Sequence, residues 1–568
     1  MALSEPRIGL LNVASFWRDG RLGFASIPVK SQYELSDMTT QNTSTVQRAQ
    51  ELKLLDLPRA WAGRASYTLL DLDDHFALRF VALWSQWRSD PKRCARLHVV
   101  LVVQGLCLPS TLRDHLVSAL PEQDYALADQ LVQQWPLNLP GIHRLEFEAL
   151  NVTLTIAVGP ANVMLGRLTL MADAVMLSEA QSAESAPGQA GWALALVRLI
   201  KTNALFLARA TTAVWPAEFE SSFIIHERAA HRQAPELLRA RVSPRTAAGP
   251  EYDAPCDSAL TPRHLVVVGG GLAGLHVAQA LALRGWRVTV LEPAVAQVHS
   301  QSSHLAAALT PVVSRQDDLY ARLSRAGSLR AQARWTQMSD AIVTPCGALQ
   351  LQRVSGRIVD LKRIADGLGF PESFVRFVNA AQASELAGMS LTRGGLYFST
   401  ARRVQPQPLL TQLAQTDGIT CLRARAVRVE RVSRGAGSWR VLDRTGAVLV
   451  EAEQVVLAAG LAAQQLLVVS ALLVADSRLA SMYGLGGELT YVDQALLAGG
   501  PRCIVSGDGY VLPAVQGQCV LGGSYLNDGS APDASASAAM IGSRAAQVRT
   551  CWMAERITTR CPTRVLLR

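Results

Sequence analysis

The stretch Leu265-Val266-Val267-Val268-Gly269-Gly270-Gly271-Leu272-Ala273-Gly274 decides how this chain is read. Four apolar residues run into a glycine turn, and an apolar helical period follows. Gly269, Gly271 and Gly274 stand at the spacing G-x-G-x-x-G. With a strand before it and a helix after it, this spacing is a dinucleotide-binding fingerprint. Gly269 permits the tight turn, Gly271 lets the backbone approach a pyrophosphate, and Gly274 allows close helix–strand packing. The helix N-terminus then offers unpaired N–H groups and partial positive charge to phosphates. Residues 288–291 read as the second strand of the βαβ unit, with Glu292 at its end. A carboxylate there accepts hydrogen bonds from the ribose hydroxyls of an adenosine.

Further along, residues 454–460 (QVVLAAG) read as a strand ending in a turn at Gly460. The segment resembles the strand that returns to the dinucleotide in two-domain flavoproteins, which favours FAD over NAD. Residues 427–432, 439–442 and 447–450 look like a meander leading into it, so an antiparallel layer is expected within the nucleotide-binding domain.

On the N-terminal side, residues 243–262 are rich in proline and carry no helical or strand period, so they read as a linker. The expected division is a domain over 1–242, the linker over 243–262, and a second domain over 263–568. In the first domain, residues 97–103 (LHVVLVV) form a continuous apolar run, as in a strand buried on both faces. Residues 152–158 and 172–177 read as further strands, and 76–87 and 125–135 as helices. The fold class is α/β, with an open sheet in the first half.

Composition sets the limits. A chain of 568 residues exceeds one ordinary core. With 49% hydrophobic and 18% charged residues, it is neither disordered nor collagen-like. The nine cysteines are odd in number, scattered and without a CxxC pair, which excludes a zinc ribbon or thioredoxin site. Reduced thiols and a cytoplasmic location follow as the expectation. Residues 1–20 carry Glu5, Arg7, Arg18 and Asp19 and no long apolar run, against a secretory signal. Residues 455–475 lack charge over 21 positions, enough to span a membrane. Gly460, Gln464 and Gln465 within them favour a buried strand, a turn and a helix instead. The net charge is +9, with only five lysines among the 55 basic residues. A basic surface attracts polyanions, nucleic acid among them, and is equally compatible with a merely soluble arginine-rich face.

A family resemblance rests on particular residues. Ser302-Ser303-His304-Leu305-Ala306-Ala307-Ala308-Leu309-Thr310-Pro311 follows the βαβ unit, then Arg315, Asp317 and a helix over 320–335. Gly394-Gly395-Leu396-Tyr397-Phe398, Val404-Gln405-Pro406 and Gly507-Asp508-Gly509-Tyr510-Val511-Leu512-Pro513 come later. In this order they resemble the C-terminal module of the bifunctional tRNA 5-methylaminomethyl-2-thiouridine biosynthesis proteins, the MnmC family. Leu57-Pro58-Arg59-Ala60-Trp61, Phe80 to Trp84 and Leu145-Glu146-Phe147 are similar to that family's methyltransferase module. The resemblance implies a Rossmann-like methyltransferase-type domain and an FAD oxidoreductase of D-amino-acid-oxidase type with an antiparallel substrate layer. It implies FAD held by Gly269, Gly271, Gly274, Glu292, Ser303 and Gly460, no assigned catalytic residue, and a tRNA wobble uridine as substrate. The implied reaction removes the carboxymethyl group of 5-carboxymethylaminomethyl-2-thiouridine oxidatively. In the family, methylation by S-adenosylmethionine follows.

The sequence departs from the family at both ends. After the first strand of the methyltransferase module a glycine-rich loop is expected. Here stands Leu70-Asp71-Leu72-Asp73-Asp74-His75-Phe76, with no glycine from Arg64 to Gln104. The acid expected after the second strand is replaced by Val102, Val103 and Gln104. Ser178-Glu179-Ala180-Gln181 replaces the later aspartate loop, although Asp173 is a candidate survivor. Three losses in one pocket argue that this half persists as a scaffold or RNA-binding surface. From about Ala534 the resemblance stops, and the segment expected to close the flavin pocket is missing.

Arginines 322, 325, 330 and 334 near one helix, and 423, 425, 428, 431 and 434 in a strand pair, are read either as tRNA contacts or as solvated faces. Tyr510, Ser524 and Tyr525 are candidates for the flavin pocket. No metal constellation, GxSxG elbow or P-loop is present, and neither membrane nor metal is expected as a partner. The chain is expected to be a monomer. Two other functions stay open at this point: a small-molecule amino-acid or amine oxidase, and an inactive remnant that at most binds RNA.

Overall fold

The computed structural model describes residues 51–72, 76–177, 192–209, 217–231, 234–245, 263–293, 304–353, 359–432, 438–474, 477–487, 489–497, 499–507, 509–522 and 564–567. Ser303, Ser524, Tyr525, Arg434, the stretches 73–75 and 178–181, and most of the expected linker lie outside them.

The first half is built on one eight-stranded sheet. Its strands are β1 (Ser66–Leu72), β2 (Arg96–Val103), β3 (Gly141–Phe147), β4 (Val152–Val158), β5 (Ala172–Leu177), β6 (Ile200–Arg209), β7 (Phe223–His231) and β8 (Ala234–Pro244). The spatial order is β3-β4-β2-β1-β5-β6-β8-β7. The strands from β4 through β6 pair in parallel, while β3 and the β7–β8 pair run antiparallel to their neighbours. Strand periodicity sends Leu69, Val99 and Leu101 to one face and Leu70, Val100 and Val102 to the other. Helices Phe76–Ser89 and Tyr125–Gln134 cover the first face. Helices Ala161–Arg167 and Trp192–Val197 cover the second. Because both faces are buried, β2 is apolar along almost its whole length.

The second half holds a four-stranded parallel sheet in the order Ile419–Leu422, β10 (Arg287–Leu291), β9 (His264–Val268), Gln454–Leu457. Helix Leu272–Ala282 links β9 to β10. The expected meander is present as Arg428–Arg431, Trp439–Leu442 and Val448–Ala452, but it is a separate three-stranded sheet. It packs Val429 and Val441 onto Val266, Val268 and Leu291. The larger layer has seven strands, contributed by residues between Ala348 and Gly522 and antiparallel except where Ala348–Leu351 pairs in parallel with Ile504–Ser506, and no periodicity announces it in the sequence. Of residues 455–475, those through 474 are described and fold as read: a strand, Gly460 at φ +58°, and helix Ala462–Val469. Among the described residues no helix is long and apolar enough to cross a membrane.

The two halves meet where β3 lies beside helix Leu319–Arg334. Glu146, with 9% of its side chain exposed, sits among three arginines of the second half. Arg334 Nε lies 2.9 Å from one carboxylate oxygen and Arg284 Nη2 3.6 Å from the other, and Arg330 closes on it as well. Arg330 also donates to the Arg144 carbonyl at 3.0 Å, and Arg96 donates to the Arg284 carbonyl. Arg325 is buried, bonds both oxygens of Asp317 at 2.6 and 2.8 Å, and reaches the Pro140 carbonyl at 3.2 Å. Three of the four arginines read as RNA contacts or a solvated face are therefore engaged within the protein. Helix geometry turns them toward β3, a consequence the spacing alone does not reveal.

Two outcomes follow. Replacing Glu146 with Ala leaves three arginines facing one another and should lower stability by about 3 kcal/mol, read from urea unfolding. His98 is half-buried with Nε2 2.9 Å from Thr155 Oγ1, and desolvation, then the Arg144 charge, pushes its pKa down to about 3. A histidine depressed in the folded state takes up its proton first in the unfolded chain. Its contribution is thus complete above about pH 6.5 and lost as pH falls, by about 1.4 kcal/mol per pH unit down to about pH 3. His98→Gln should flatten that part of the stability–pH curve.

Candidate functional site

The glycine turn is held by contacts that exclude side chains. Gly269 has φ +108°, and a Cβ there would lie 2.6 Å from the Ala458 carbonyl oxygen. A Cβ on Gly274 would run into the carbonyl of Gly269, so helix Leu272–Ala282 crosses β9 at backbone contact. A Cβ on Gly271 would meet nothing within 4 Å, which leaves that side of the turn open. Gly271 caps the helix without any side-chain bond, so the first N–H groups point into the opening. Gly270 donates its N–H to Glu292 Oε2 at 2.7 Å. The acid is where the sequence places it, at the end of β10, and it also fastens the turn. Ala458 and Ala459 abut the same turn at the end of the strand Gln454–Leu457. The structure thus brings together Gly269, Gly271, Gly274 and Glu292, with Gly460 following directly on the Ala459 contact. These residues form a cradle that fits a dinucleotide.

A cavity of about 1000 Å³ opens between helix Pro406–Ala414 and the seven-stranded sheet. His304, Gln405, Gln412, Tyr491, Gln516 and Gln518 are among its lining residues. Behind it, Arg403 is buried and donates to the Ala514 carbonyl and to Thr344 Oγ1, which braces the hairpin ending at Gln516. Burial lowers its pKa. Sequence reasoning missed Tyr491 and the glutamines; the only signal was the density of glutamine from 405 to 415. Tyr510, a candidate from the sequence, packs against the core around Leu512 and Val520, and a Cβ on Gly522 would strike its ring.

In the first half, ligands of such a sheet bind outside the carboxyl ends of the strands, where β1 and β5 diverge. Asp71 stands at that end of β1, and its carboxylate is 2.5 Å from Arg79 Nη1. Arg79 Nε is 3.1 Å from Glu51. All three side chains are no more than 2% exposed. The acid that a cationic methyl donor would need is taken up by an internal guanidinium. The end of β2 presents Val102 and Val103, and Asp173 is no survivor of the pocket. It sits at the amino end of β5, bound to Arg64, Lys201 and the Thr68 N–H. The described residues do not fit S-adenosylmethionine.

Residues 264–564 match the FAD dependent oxidoreductase family. The match runs beyond the point near Asp533 where the resemblance legible in the sequence stops, and residues 564–567 pair as a strand with Gly484–Gly487. FAD dependent oxidoreductase is thus the class, and FAD is the cofactor. More specifically, the chain belongs to the MnmC family of tRNA 5-methylaminomethyl-2-thiouridine biosynthesis bifunctional proteins. The Ralstonia nicotianae member is 35% identical over 501 residues, covering 84% of this chain and 73% of that protein. The Cupriavidus metallidurans member is 34% identical over 495 residues, covering 83% and 70%. The glycine oxidase from Geobacillus kaustophilus aligns at TM-score 0.42 and 18% identity, over 54% of this chain and 83% of that chain.

Arg79→Ala should take the paired cation from two buried carboxylates and lower stability by about 3–5 kcal/mol in urea unfolding. Titration of the unmodified protein with S-adenosylhomocysteine should give no binding heat; a saturable isotherm would overturn the reading of this crevice.

Proposed function

We propose that this chain carries out the oxidative step of tRNA wobble-uridine modification, removing the carboxymethyl group of 5-carboxymethylaminomethyl-2-thiouridine. The observation that carries this is the closed backbone contact at Gly269 and Gly274 around an open, uncapped helix N-terminus. Gly269, Gly271 and Gly274 are assigned to the pyrophosphate, Glu292 to the ribose, and Gly460 to the returning turn. FAD supplies a two-electron acceptor for hydride from the carbon beside a secondary amine. The chain's own task is to orient that C–H bond and exclude competing water. The amides of Gln405, Gln412, Gln516 and Gln518 donate and accept, which suits the edges of an uncharged base. Loss of hydride leaves a substrate imine, and water cleaves it to the primary amine and a two-carbon oxo acid.

Methyl transfer is not assigned to this chain, because Arg79 and Asp71 already pair at the end of β1. The rest of the reading is a cytoplasmic monomer with tRNA as partner and no metal, divided into 1–242, the linker 243–262 and 263–568.

The purified protein should show flavin absorption bands, and Gly274→Val should remove them. With tRNA bearing the carboxymethylaminomethyl group, the wild type should yield the aminomethyl product. A protein that stays colourless after soaking in FAD would sink the proposal. Peroxide release with free amino acids and none with tRNA would favour a small-molecule oxidase.

A further inference from the structure

We propose that the outer stripe of helix Leu319–Arg334, with the arginines gathered at its C-terminal end, is a docking track for RNA backbone and an unstacked base. The inference rests on the reading of tRNA as substrate.

The charge is the first observation. Arg284, Arg330 and Arg334 close on the single carboxylate of Glu146, and Arg144 stands near enough to feel its charge. One negative charge faces four positive ones at the edge of the seam. Arg144 stands exposed on β3. Desolvation, then the charges of Arg284 and Arg330, lowers its pKa. A cluster with unmatched positive charge at a surface attracts phosphate.

The second observation is independent of the charge. At the other end of the helix Tyr320 is 70% exposed and Leu323 63% exposed. Tyr320, Leu323 and Gly327 follow at i, i+3 and i+7 and are exposed, so they form an outer stripe that runs on toward the end of the helix where Arg330 and Arg334 turn in to Glu146 and Arg144 stays exposed. The acids nearby are already engaged, Asp317 with Arg325 and Asp318 with the Ala321 N–H. An open aromatic ring in line with guanidinium groups is the combination that binds single-stranded nucleic acid: the ring stacks on a base and the cations follow the phosphates. A purely apolar protein partner would leave the arginine end unmatched.

The test measures affinity of the flavin-loaded protein for tRNA at several salt concentrations. Arg144→Ala should reduce the slope of log K against log salt by about one. Tyr320→Ala should weaken binding on the order of tenfold with the slope unchanged, the loss of one stacked base. Arg144→Lys and Tyr320→Phe should restore wild-type behaviour. If the wild type binds tRNA and both alanine variants match it, the track is wrong while the substrate reading stands. If Tyr320→Ala instead abolishes self-association in sedimentation, the stripe is a face between copies and the proposal falls. If the wild type does not bind tRNA at all, the substrate reading fails and takes this inference with it.

Discussion

Glu146 is one carboxylate placed where strand β3 meets helix Leu319–Arg334 and three arginines of the second half turn toward it. Three guanidinium groups from the second half converge on it, and two more arginines complete the seam through backbone carbonyls. Charge pairs taken out of water bring little net stability, but removing one partner is heavily destabilising. The arrangement therefore acts mainly as a register: it admits one placement of β3 against helix Leu319–Arg334 and penalises others. Leu139 continues that placement by packing into the core around Phe374 and Leu512. The position of the cavity relative to the first half follows from this placement.

The nucleotide side rests on a different constraint, the absence of side chains. At Gly269 and Gly274 the backbone of one element touches the backbone of another, and no rotamer choice could relieve an added methyl group. Glu292 bonds to the Gly270 N–H across this contact, so the acid assigned to the ribose also holds the turn assigned to the phosphates in shape. Under that assignment, recognition of the two parts of an adenosine dinucleotide is coupled through a single side chain.

What the sequence made legible follows from this. Runs such as 97–103 and 264–268 announce themselves because a strand buried on both faces has no room for polar residues. The glycine fingerprint is legible because backbone contact tolerates one residue type only. The seven-stranded sheet was not legible. Its strands are three to six residues long, and one, Val375–Val378, alternates with neither period because its two central residues are exposed. Asp173 is legible as preceding its strand, but its partners Arg64 and Lys201, 109 and 28 positions away, which hold it away from the crevice, are not. The partners of Arg79 lie 8 and 28 positions away, and those of Glu146 138 to 188 away, separations that no local pattern encodes.

The ion triad of Glu51, Asp71 and Arg79 also bears on how this domain can change over time. Arg79 pairs with both acids in a site closed to water. A single substitution at Arg79 would take the guanidinium from two buried carboxylates before any cofactor could be gained in return. A single substitution at either acid would weaken the partnership without making room. A stepwise route toward an open crevice would therefore pass through variants of lower stability, which makes the present packing of this domain hard to leave one residue at a time.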